Sequence, residues 1–85
     1  METGAINKLL NVTLKHKFPK IVNEVIVNEK EIGPMMYYLH VFVLLNRYQD
    51  IIYDKEIKKY IKEISKYSFE IEGNVINQVS FGLKE

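Results

Sequence analysis

Strands alternating with helices in one short chain predict an α/β domain, with two helices on one face of a mixed sheet. Three observations carry that expectation. Lys55–Tyr67 is strongly amphipathic, with Ile57, Tyr60, Ile61 and Ile64 on one face and Lys55, Lys59, Lys62 and Lys66 opposite. Short β-branched runs, at Glu24–Asn28, Gln49–Tyr53 and Val75–Phe81, are bounded by polar or turn residues. Finally, 85 residues at 47% apolar content suit one domain and leave no room for a second.

Taken in order, residues 1–20 read as an N-terminal arm and 21–85 as the domain. Ile6, Leu9, Leu10 and Leu14 recur at helical spacing, which predicts a helix from about Thr3 to Leu14. The competing pattern is a strand over Leu14–Phe18, and Pro19 ends either one. Val25, Ile26 and Val27 make Glu24–Asn28 a buried strand, and the charged Asn28–Gly33 follows as a loop. Residues 21–32 also fit a helix face, which leaves a helical bundle open. Pro34 suits the first position of a helix, so Met35–Tyr48, apolar almost all round, is predicted helical. A strand at Gln49–Tyr53 follows, and Asp54 is expected to cap the helix that begins at Lys55. Phe69–Glu72 and Val75–Phe81 around Gly73-Asn74 read as a hairpin.

Composition excludes several functions. Cysteine is absent, so no disulfide and no thiolate zinc site is available. Twelve basic against eleven acidic residues give a net charge of +1, and no global field announces a polyanionic partner. The start, Met1-Glu2-Thr3-Gly4, does not resemble a secretory signal, and Met35–Leu45 is about half the ~20 residues of a membrane span. A cytoplasmic, nucleoid or nuclear location without secretion or membrane contact is expected. Asn11-Val12-Thr13 matches the glycosylation sequon, read here as a chance match.

Residues Asn23–Asn28, Gly33–Asn46, Asp50–Tyr53 and the helix Lys55–Ile64 together resemble the Alba superfamily of small chromatin and RNA-binding proteins. The resemblance covers about residues 23–81 and implies a βαβαββ two-layer fold. It also implies contact with RNA or DNA through a lysine-bearing loop and the second helix. In that loop Lys30 is the only match, between Glu29 and Glu31, and the terminal hairpin has no lysine between Ser68 and Leu83.

Catalysis finds little to build on. The chain has two histidines, His16 and His40, and Ser65, Ser68 and Ser80 lie in no nucleophile-elbow context. Glu70 and Glu72 share one strand face but read as a solvated edge, and the four glycines make no phosphate-binding loop. No enzyme, cofactor or metal is expected. The lysine stripe is the strongest electrostatic feature, although such stripes are also the ordinary solvated side of a helix. Lys15, His16, Lys17 and Lys20 form a second basic cluster. With Arg47 the single arginine, binding would be directed at the backbone rather than at guanine edges.

The primary expectation is therefore an oligomeric protein that binds RNA or DNA through Lys15, Lys17, Lys30, Lys55, Lys58, Lys59 and Lys62. The alternative is a protein–protein interaction module of the same fold. Its partner surface would be Tyr37, Val41, Leu44 and Tyr48 on an apolar first helix too greasy for an 85-residue monomer to cover.

Overall fold

The computed structural model of the chain describes the backbone of residues 3–34, 36–46, 51–68 and 74–84. Side chains are described for 4–31, 33–34, 38–46, 53–64 and 78–84. Five elements follow one another: α1 (Thr3–Lys17), β1 (Val22–Gly33), β2 (Met36–Leu45), α2 (Ile51–Ser68) and β3 (Asn74–Leu83). The strands form one mixed sheet in the order β1-β2-β3, with β1 antiparallel and β3 parallel to the central β2. Two helices and a mixed sheet are the α/β class expected. The element order, αββαβ, is not the βαβαββ order that the family resemblance implies.

The first helix runs one turn further than its apolar periodicity required. Ile6, Leu10 and Leu14, four apart, stack on one side and are fully buried. Residues 3–17 thus contribute these three side chains to the core. The Phe18 amide still donates to the Leu14 carbonyl at 2.8 Å, and Pro19 stops the helix. Ile21 and Val22 amides close the turn onto the Phe18 carbonyl and launch β1.

Strand β1 corrects the expected loop. Asn28, Glu29, Lys30 and Glu31 pair with His40, Leu39, Tyr38 and Tyr37, so the polar stretch is the outer half of an edge strand. Charge belongs on such a strand, because it discourages pairing with further chains. The inner half alternates as a half-covered strand should: Val25 and Val27 are buried, Glu24, Ile26 and Asn28 exposed. Pro34 occupies the turn to β2 rather than starting a helix.

The largest correction is Met36–Leu45, which is a strand and not a helix. Leu39, Val41, Val43 and Leu45 point into the core, while Tyr38, His40, Phe42 and Leu44 alternate onto the other face and are half-buried. A central strand lined on both sides reads as an unbroken apolar run, the same signature as a buried helix. Ile51–Tyr53, expected as a strand, forms the first turn of α2. Asp54 accordingly lies inside that first turn and not at the cap, where its charge still favours the positive end of the helix. Its Oδ1 is buried with no hydrogen-bond partner among the described residues. The proposed hairpin partner Phe69–Glu72 and turn residue Gly73 lie outside the described residues. Strand β3 pairs along β2, from Tyr37↔Asn74 to Leu45↔Leu83.

Both helices cover the same face of the sheet. Ile6, Leu10 and Leu14 of α1 and Ile57 and Ile61 of α2 form one buried cluster with Val25, Val27, Leu39, Val41 and Val43. Burying an aliphatic side chain of this size stabilises by roughly 1.5–3 kcal/mol. Asn11 secures α1 to the sheet edge by a two-way bond to β1. Its Nδ2 donates to the Val25 carbonyl at 2.7 Å and its Oδ1 accepts from the Val25 amide at 2.8 Å. The side-chain amide thereby satisfies backbone groups of an edge strand. The sequon asparagine is held by the fold, with Nδ2 also 2.8 Å from the Asn7 carbonyl.

Candidate nucleic-acid interface

The two basic clusters, forty residues apart in sequence, meet at the helical layer. Lys17 ends α1 with its Nζ 5.4 Å from the centroid of the Tyr60 ring of α2. Phe18 packs edge-on against the same ring at 6.1 Å. A groove between the helices is lined by Lys17, Phe18, Glu56, Lys59, Tyr60 and Glu63. Lys59 and Glu63 also line, with Lys55, Lys58 and Lys62, a shallow depression of about 490 Å³ on α2.

Helix geometry explains this placement. Ile57 and Ile61 bury one side, so at 100° per residue Lys55, Lys59 and Lys62 emerge on the opposite side. Lys58 takes the flank toward β3, with its Nζ 5.7 Å from the Phe81 ring centroid. Lys17 and Lys58 are both exposed residues, and each sets its ammonium group over an aromatic ring. From Lys55 to Lys62 the helix rises about 10.5 Å, a length over which several phosphates can be met.

Not every expected residue joins this surface. Lys15 follows Asn11 by four residues and so shares the flank of α1 that faces the edge of β1, away from α2. Lys30 stands on β1 at the register of Tyr38, on the uncovered face of the sheet, apart from the lysines of the helices. Of the expected partner surface, Val41 is fully buried in the core and unavailable. Leu44 is half-buried on the uncovered face. The Tyr37 side chain and Tyr48 lie outside the described residues. That group was assembled on helical spacing, which a strand does not provide.

A net charge of +1 conceals a segregation that counting by element exposes. Residues 3–20 carry four lysines and no acid, and α2 carries five lysines against three acids. Strand β1 has one lysine against three acids, and β2 and β3 have neither sign. The helical layer is the positive side of the molecule and the β1 edge the negative side. Glu56 and Glu63 temper the groove, which leaves the outer row of α2 as its most cationic strip.

Sequence reasoning passed over one polar pair. His40 Nε2 and Ser80 Oγ lie 2.7 Å apart across β2 and β3, the contact of a base and a nucleophile. The pair sits on an open, flat sheet, and among the described residues no group orients Nδ1. Among the described residues nothing there forms a cleft for an acyl group, and the contact is a cross-strand hydrogen bond. Among the described residues no cluster of metal-ligating side chains occurs, and no helix is long and apolar enough to cross a membrane.

Fold and site together define a class: a small two-layer α/β domain with a cationic helical layer and an uncovered sheet face. No protein-family model, curated protein or solved structure matches the chain.

Proposed function

We propose that this protein binds nucleic acid through its phosphate backbone, using the outer row of α2 and the adjoining end of α1. The observation that carries the proposal is the convergence of Lys17 with Lys55, Lys58, Lys59 and Lys62 on one side of the molecule. Ammonium groups act as point charges without the planar fork of arginine, so they hold phosphates and do not read bases. The groups are carried on a helix whose inner side is locked into the core at Ile57 and Ile61. Such a strip holds its shape without a ligand.

Lys15 belongs to the proposed surface only for a ligand that continues around α1. Lys30 is dropped from it. The direct test is an NMR titration of the full chain with a short single-stranded RNA and with duplex DNA. Shifts confined to residues near Lys17 and along 55–62 support the proposal. Shifts centred on β1 and β2 instead, or none at low salt, overturn it.

A further inference from the structure

We propose that the uncovered face of the sheet binds a second copy of this chain, face to face, with the strands of the two copies antiparallel. This inference is independent of the helical-face proposal, since it concerns the other side of the sheet.

The face is apolar at its centre. Ile26 of β1 is 38% exposed, and beside it on β2 Tyr38, Phe42 and Leu44 are each half-buried with nothing packed above them among the described residues. It is also smooth. The Phe42 ring lies across β3 at Gly82, where a Cβ would fall 2.6 Å from its Cζ. In the polar pair on this face, His40 Nε2 and Ser80 Oγ satisfy each other at 2.7 Å, which leaves only His40 Nδ1 to be met by water or by the second copy.

Charge selects the occupant. Glu24 stands at the register of Leu44 and Lys30 at the register of Tyr38, at opposite ends of the face. A two-fold axis in the plane of the interface, perpendicular to the strands, carries Glu24 of each copy over Lys30 of the other. The same operation lays Tyr38 over Leu44 and His40 over Phe42. An axis parallel to the strands would instead carry β1 over β3, where no charged residue stands to meet Glu24 or Lys30, so the antiparallel arrangement is favoured. A nucleic acid suits this face poorly, because on β1 Glu24 offsets Lys30 and neither β2 nor β3 adds a lysine or arginine.

Size sets the strength. Three ten-residue strands present a footprint of about 480 Å² at ~3.3 Å per residue and ~4.8 Å per strand. That is below the ~800 Å² per partner of a standard stable interface, so the dimer is reversible.

Sedimentation equilibrium on the full chain, from about 5 to 500 µM, reads the association by mass action. Concentration-dependent dimer is expected. Glu24→Lys and Lys30→Glu are each expected to weaken it about tenfold by placing like charges together. The double exchange Glu24→Lys with Lys30→Glu restores it, and Ile26→Glu abolishes it. All three positions are exposed, and circular dichroism verifies that each variant is folded. A wild type that stays monomeric at the highest concentration overturns the proposal, as do single exchanges and Ile26→Glu that sediment as wild type. Single-stranded RNA that dissociates the dimer, and loses affinity on Ile26→Glu, assigns the face to nucleic acid and also overturns it.

Discussion

The two outer faces of this molecule are built from similar amounts of chain and differ in almost every other respect. The helical face is cationic, rows of lysine standing on helices whose inner sides are buried. The sheet face is apolar at its centre and bears one acid and one base at its ends. A mean over the whole chain hides the difference, since the charges nearly cancel at +1. What the comparison teaches is that charge must be counted per element before it says anything about partners. Long-range steering depends on where the charges lie, within a Debye length of about 8 Å at physiological salt.

The sharpest way to break the comparison is to delete the same atoms on each side. Ile57→Ala, beneath the lysine strip, is expected to cost about 2–5 kcal/mol, measured by urea denaturation. Ile26→Ala, on the uncovered face of the monomer, is expected to cost less than about 1 kcal/mol at concentrations below dimerisation. Equal costs would mean that the sheet face is covered in the isolated chain.

Charge reversal sharpens it next. Lys59→Glu is expected to weaken RNA binding roughly fivefold or more and to reduce the salt slope by about 1. Lys30→Glu, on the far side of the sheet, is expected to leave affinity within about twofold. A larger loss at Lys30 than at Lys59 would move the ligand to the sheet.

The edge of β1 supplies a smaller effect. Asn11→Ala leaves the Val25 amide and carbonyl without their partner and should cost about 1–3 kcal/mol. Asn11→Asp keeps the acceptor for the amide but turns a carboxylate toward the carbonyl, so it should destabilise as well. Hydrogen exchange at Val25, faster in both variants, separates this local loss from global unfolding. Smallest of all is Gly82→Ala. The added methyl meets the far end of the Phe42 ring, which can swing away over open face. Stability should change by less than about 1 kcal/mol while the Phe42 resonances move.

Helices proved legible in the sequence where one side was polar. The α2 stripe was unmistakable because Ile57 and Ile61 alternate with lysines at helical spacing, whereas the spacing of Ile6, Leu9, Leu10 and Leu14 suggested α1 but left a strand over Leu14–Phe18 open. Strand β2 was not legible as a strand. Its two faces are both apolar, so period two and period 3.6 leave the same trace, and Pro34 before it suits a turn as well as a helix start. The polar half of β1 was hidden for the opposite reason, since an edge strand and a loop are both allowed to be charged.

The candidate site was half legible. Lys55, Lys58, Lys59 and Lys62 followed from one helix. The meeting of Lys17 with Tyr60 is a tertiary contact for which local pattern holds no signal. The acid-free composition of residues 3–20 was in plain sight in the sequence.

The central claim is that phosphate is bound by a cationic helical face, and salt dependence tests it most directly. Fluorescence anisotropy of labelled single-stranded RNA and duplex DNA is to be followed at about 50 and 200 mM salt. Four phosphate contacts on duplex DNA predict an affinity that falls about 10²-fold between the two, with a smaller fall on the single strand. No binding at the lower salt, or binding that salt leaves unchanged, would contradict the account.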